Sequence, residues 1–191
     1  MHHPRARRAW ARLAVVLAAL LLLWSAPVRA QRVTAPALKA AFLLNFANFV
    51  EWPADALRSG QRLSLCVIGD TAVADAIQQT IKGRSVDDHA LTLSVIKTAD
   101  GPTGSCHLLY VSGFDAKRSD ELLFALTGAP IFTISDEVRF AEKGGVAQLI
   151  VENGRVRFAI NMDAARRARL KISSKLLSLA TIIKDPTDAQ R

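Results

Sequence analysis

The chain has 191 residues, 50% of them hydrophobic and 22% charged, which fits one folded domain or a compact pair and excludes wholesale disorder. Its formal charge of +8 resembles a nucleic-acid signal only until it is located. Arg5, Arg7, Arg8, Arg12 and Arg29 lie in the first 30 residues, which hold no acid, and the other 161 residues carry 20 basic against 17 acidic side chains, a net of +3, too little to argue for nucleic acid.

The first thirty residues read as an address. An Arg-rich start leads into twelve unbroken apolar residues, Leu13–Trp24, then Ser25-Ala26-Pro27 and the small-residue site Val28-Arg29-Ala30. That order predicts a secretory signal peptide cleaved after about Ala30, an exported, periplasmic protein, and one domain over 31–191. The alternative is a retained anchor, but twelve residues are short of the roughly 20 that a membrane span needs. His2 and His3 leave with such a leader.

Beyond it, Thr34 to Val50 reads as a helix, with Thr34 as cap, Pro36 in the first turn and an apolar stripe of Leu38, Phe42, Phe46 and Phe49. Core packing is the plain reading of that stripe, and a partner groove the other. Leu63–Gly69 reads as a buried strand, and Thr71–Lys82 as a helix capped by Asp70 or Thr71. Leu91–Ile96 alternates as a strand should. Asp100–Ser105 reads as a loop, His107–Ser112 as a strand, Asp120–Thr127 as a short helix and Pro130–Ser135 as a strand. Val146–Val151 and Arg155–Ile160 flank Asn153-Gly154, a strong hairpin signal. Ala165, Ala168, Ile172, Leu176, Leu179 and Ile183 recur at helical spacing, predicting one long helix over Asp163–Ile183, with a polar tail from Asp185. Strands alternating with helices predict an α/β fold: a three-layer α/β/α sandwich, its sheet mostly parallel, with a C-terminal hairpin and long C-terminal helix.

Only Cys66 and Cys106 are present. In an exported chain an even count favours a disulfide, with two buried thiols or a reactive pair as rivals. No C-x-x-C supports a thioredoxin-type site. A bridge closing a loop of 39 intervening residues is worth about 3–4 kcal/mol in the chain-entropy model. If the strands holding the two cysteines are neighbours, the geometry allows the bond.

Enzyme signatures are missing: no nucleophile elbow, no P-loop, no dinucleotide fingerprint and no zinc-protease helix. His89 reads as a turn residue and His107 as a structural histidine, so no metal and no cofactor are expected. Asp70, Gly113 and Asp136 follow the ends of predicted parallel strands, where open α/β sheets bind ligands. They make a candidate crevice for a small cationic or hydroxylated ligand. The plainer reading is a helix cap at Asp70 and a turn at Asp136. Arg166, Arg167, Arg169, Lys171 and Lys175 crowd the last predicted helix, either as a solvated face or as a surface for an acidic protein or membrane.

Five stretches together resemble the YfiR/HmsC-like family. They are Leu38–Phe46 running into Val50-Glu51-Trp52-Pro53, Leu65–Gly69, Cys106–Ser112, Thr133–Asp136 through Phe140-Ala141 to Gly144-Gly145, and Val156–Asn161 leading to Leu170–Leu177. The resemblance implies a non-enzymatic periplasmic repressor. Such a protein binds the periplasmic sensor domain of an inner-membrane diguanylate cyclase and lowers cyclic di-GMP, with effects on biofilm and motility. It also implies an outer-membrane lipoprotein that sequesters the repressor, and a possible homodimer. The family's best-known member has two cysteine pairs, and Cys66 and Cys106 match one of them by position in the strands. The second pair would fall between about Asp136 and Glu152, where this chain has no cysteine, so no role of that pair carries over.

Overall fold

The computed structural model describes residues 34–97, 103–152 and 155–184. The readings made for the leader, for the Asn153-Gly154 turn, for the first half of the Asp100–Ser105 loop and for the tail from Asp185 lie outside these residues.

Thr34 opens the first helix, α1 (Ala35–Ala47): its Oγ1 accepts the Ala37 N–H at 3.4 Å, and Pro36 sits where a missing N–H costs nothing. The helix ends three residues before the expected Val50. Asn48 donates its side-chain amide to the Leu44 carbonyl at 2.8 Å, satisfying an end-of-helix acceptor, and Val50–Glu51 becomes a short strand, β1. There follow β2 (Leu63–Ile68), α2 (Thr71–Ile81), β3 (Ser85–Val86), β4 (His89–Ile96), β5 (Leu108–Val111), α3 (Ala116–Ala125), β6 (Phe132–Ser135), β7 (Ala147–Glu152) and β8 (Arg155–Asn161). The α3 helix starts four residues before the predicted Asp120, because Asp115 caps it by accepting the Arg118 N–H at 2.9 Å.

The chain closes with α4 (Met162–Arg167), β9 (Lys171–Ile172), α5 (Ser174–Leu177) and β10 (Thr181–Ile183). The single long helix expected over Asp163–Ile183 is therefore wrong. Arg169 adopts φ +57, its N–H bonds the Arg166 carbonyl at 2.9 Å, and the Leu170 N–H reaches back to Ala165 at 3.0 Å. This is a Schellman ending, with arginine at the left-handed position where glycine is usual. A two-oxygen ion pair with Asp55, at 2.8 and 3.1 Å, holds the Arg169 guanidinium there. Ile172 then pairs with Val50 in an antiparallel β1–β9 ribbon. Ser173 donates its N–H to the Phe49 carbonyl at 2.9 Å.

The main sheet has the order β10-β8-β7-β6-β5-β2-β4-β3. Strands β4, β2, β5, β6 and β7 run parallel. The β8 strand returns antiparallel to β7 with Val156 opposite Val151, as the hairpin signal predicted. Alternation divides the side chains between two faces. Leu63, Leu65, Val67, Leu108, Tyr110, Phe132 and Ile134 join the core cluster that holds α1 and α2. Cys66, Ile68, Leu109 and Val111 join Leu122 of α3 in the cluster on the other face. The result is the expected three-layer sandwich. Phe46 of the α1 stripe is core, its ring centroid 5.1 Å from Phe158 and 5.6 Å from Phe132, while Phe42 and Phe49 are partly buried against it.

Candidate functional site

Taken in chain order, the first five parallel strands are arranged second, first, third, fourth, fifth across the sheet. The order reverses between β2 and β5, and the crevice outside their carboxyl ends is the switch point where doubly wound sheets bind ligands. Gly69 ends β2 there with φ +88, and a β-carbon on it would stand 1.9 Å from the Ser112 carbonyl oxygen. Only glycine lets the two strand ends approach so closely. Gly113, after β5, also has positive φ (+75), but a β-carbon on it would meet nothing within 4 Å.

Two of the three predicted crevice residues meet at one cation, and that cation is the chain's own. The Lys39 ammonium, reaching down from α1, lies 2.7 Å from Asp136 Oδ2 and 3.4 Å from Asp70 Oδ2. Asp136 Oδ1 accepts the Tyr110 hydroxyl at 2.9 Å, and the ammonium lies 5.8 Å from the Tyr110 ring centroid. Asp70 also caps α2, its Oδ1 accepting the Val73 N–H at 3.0 Å. The lysine side chain is only 13% exposed, and those of Asp70 and Asp136 are 21% and 26%.

Burial opposes charge at Lys39, but hydrogen bonds with Asp136 and Tyr110 outweigh it and hold the ammonium pKa above its ordinary value. Burial likewise works against the Asp136 carboxylate, and the Lys39 and Tyr110 hydrogen bonds overcome it, leaving that pKa below the usual aspartate range. Burial and the neighbouring Asp136 charge push the Tyr110 phenol up. Sequence reasoning placed the aspartates but missed Lys39. The available signal was that Lys39 is the sole charged residue in a thirteen-residue, otherwise largely apolar helix.

Beside this triad, the Glu137 carboxylate accepts the Phe114 N–H at 2.8 Å and the Ser119 hydroxyl at 2.5 Å, tying the loop after β6 to the start of α3. The crevice floor is thus knitted by internal bonds. Among the described residues no group of three or more His, Cys, Asp or Glu side chains is placed to hold a metal ion.

The opposite end of the sheet carries the disulfide and His107. Cys66 on β2 and Cys106, just before β5, are bonded with Cα atoms 5.8 Å apart, and both are buried, at 1% and 4% exposure. His107 accepts the Ser64 N–H on Nδ1 at 3.0 Å, so its proton sits on Nε2 and donates to the Ala56 carbonyl at 3.1 Å. Trp52 Nε1 donates to the His107 carbonyl at 3.0 Å. Burial lowers the His107 pKa despite the Ala56 bond. A second proton would have to displace the Ser64 N–H. The folded protein therefore binds this proton less readily than the unfolded chain, and stability drops as pH falls below the ordinary histidine value of about 6.5. A melting series from pH 7.5 to 5 should show that loss, and His107→Gln should flatten it. His89 lies at the surface end of β4, its Nδ1 2.8 Å from the Gln61 carbonyl and its Nε2 3.2 Å from Asp88.

The basic residues predicted on one helix are instead spread over α4, the turn after it, β9 and α5. Arg166 pairs with Asp163 and Arg169 with Asp55.

These features define a small α/β sandwich whose switch-point crevice holds an internal ion triad and whose opposite end is stapled by a disulfide. A family model described as YfiR/HmsC-like matches residues 36–181, and the chain belongs to that family. Among solved structures it is similar to a conserved domain protein from Vibrio cholerae O1 biovar El Tor, with 13% identity and a TM-score of 0.49, over 80% of this chain and 60% of that one. It is also similar to an ABC domain in complex with L-Trp from Streptococcus pneumoniae, with 9% identity and a TM-score of 0.48, over 78% of this chain and 60% of that one. The chain thus spans about three-fifths of either protein, and likenesses this distant carry no functional argument. Family membership supports a periplasmic regulatory protein. No helix among the described residues is long and apolar enough to cross a membrane.

Proposed function

We propose that this protein is a periplasmic repressor that binds the periplasmic sensor domain of an inner-membrane diguanylate cyclase and lowers cyclic di-GMP synthesis. The observation that carries the reading is the family match over residues 36–181. The crevice adds to it: the carboxylates that a cationic ligand would seek already hold Lys39. For that reason we do not place a small-ligand module at Asp70, Gly113 and Asp136.

Repression of this kind needs no chemistry. The protein prefers the inactive state of the sensor domain and shifts its population. A hundredfold preference corresponds to about 2.7 kcal/mol, within reach of a modest interface. An outer-membrane lipoprotein that binds the repressor would relieve the inhibition by mass action. A homodimer is compatible with the same scheme. Phe46 of the α1 stripe is committed to the core, and Phe124, Val138 and Leu179, at 84%, 82% and 75% exposure, are the most exposed large apolar side chains among the described residues.

The test is deletion of the gene in its own host with the neighbouring cyclase intact. Cyclic di-GMP and biofilm mass should rise several-fold and return on complementation. Unchanged levels would sink the reading.

A further inference from the structure

Among the described residues the main sheet ends in an open edge at β10. The last strand, β10, pairs with β8 alone, and among the described residues no strand lies beyond it. It covers only Ala159–Asn161 of β8, so the first half of β8, from Arg155 to Phe158, is paired on its β7 side and uncovered by β10. Leu179 and Ile182 are 75% and 43% exposed along this margin. An edge with free backbone groups and exposed apolar side chains is a template for another strand.

Charge says which strand. Residues 155–184 hold eight basic side chains against one acid, Asp163, a net of +7, whereas residues 31–154 hold eleven basic against fourteen acidic, a net of −3. Arg155, Arg157, Lys171, Lys175 and Lys184 are all exposed. Two copies of this edge paired about a twofold axis would bring like charges together, which opposes self-pairing. An anionic membrane would satisfy the charge but not the open N–H and C=O groups.

We propose that the open edge of β10 accepts an acidic, extended segment of a partner protein as an added strand. This rests on the partner-binding reading above and names the surface and the chemistry of the partner. Main-chain bonds to β10 supply affinity, Leu179 and Ile182 supply apolar contact, and the basic excess of residues 155–184 selects acidic sequences and speeds their encounter.

The test uses the purified protein and synthetic peptides of about ten residues. One alternates Glu with Val, one alternates Lys with Val, and one is the Glu–Val peptide with alternate amides N-methylated. Vesicles of phosphatidylglycerol are the fourth probe. The Glu–Val peptide should bind and weaken about tenfold or more between low and high salt. N-methylation should cost a similar factor, because it removes the peptide's strand hydrogen bonds while keeping its charge. Amide exchange at Thr181–Ile183 should slow in the complex. The exposed double variant Lys175→Glu, Lys184→Glu, checked by an unchanged melting temperature, should lose about tenfold in affinity, and Arg155→Glu should act in the same direction. The inference is overturned by equal binding of the methylated peptide, by equal binding of the Lys–Val peptide, by vesicle binding without peptide binding, or by no binding at all. If gene deletion raises cyclic di-GMP but the double variant complements fully, the edge is not the contact while the repressor reading stands. If deletion changes nothing, the repressor reading fails independently of what the peptides do.

Discussion

Lys39→Met should lower stability by about 2–4 kcal/mol, a large effect for one side chain. The substitution keeps the apolar stem and removes the charge. It strands the Asp136 and Asp70 carboxylates, both mostly buried, without their cation. Removing one partner of a fully buried pair costs about 3–5 kcal/mol, and the residual exposure here trims that figure. In a domain of this size the melting temperature should fall by roughly 5–15 °C. Adding Asp136→Asn should recover at least about 1 kcal/mol, because the amide no longer needs a counter-charge and still accepts the Tyr110 hydroxyl.

The pH dependence gives an independent check. Asp136 has a folded pKa below its unfolded value, so its contribution is complete above about pH 4 and is lost as pH falls through the folded value. Lys39 has a folded pKa above its ordinary value, so its contribution is complete below about pH 10 and is lost as pH rises through the folded value. Between these limits the triad is insensitive to pH, and the acid-side loss near neutrality belongs to His107. A melting temperature unchanged in Lys39→Met, or a double variant no more stable than the single, would remove the triad as a structural latch.

Removal of the disulfide is the second large effect. Cys66 and Cys106 are 40 positions apart, and losing that constraint on the unfolded chain costs about 4 kcal/mol in the chain-entropy model. The double variant Cys66→Ser, Cys106→Ser also places two hydroxyls in an apolar cluster with Ile68, Leu109 and Leu122, which adds to the loss. Cys→Ala at both positions separates the two contributions and should cost less. Because both sulfurs are buried, a reductant should act only through opening of the fold. Reduction should therefore be slow in native buffer and accelerate with mild denaturant, and the native protein should give no thiol labelling. Fast reduction of the native state would instead mark the bond as an accessible redox element.

The residues announced much of the fold directly. Apolar runs at 63–69, 107–112 and 130–135 read as buried strands, and each is one within a residue or two. Thr34, Pro36 and Asp70 gave the helix starts, since capping is local chemistry. The cysteine pairing followed from having only two cysteines, together with the neighbouring strands that carry them.

What local patterns could not supply was any property fixed by residues far apart in sequence. The periodicity over 163–183 is a sound helical signal on its own. It is overridden because Val50 and Phe49 offer strand partners to Ile172 and Ser173, with the exposed Arg169–Asp55 pair, 114 positions apart, adding only a little at the left-handed turn. The crevice was legible as two aspartates after strand ends. That both pair with a lysine, 31 residues before one and 97 before the other, was settled by the packing of α1 across the sheet. Backbone propensity and capping act over a few residues and can be read in order along the chain, whereas charge pairing and strand partnership are chosen by proximity in space, which the tertiary fold alone creates.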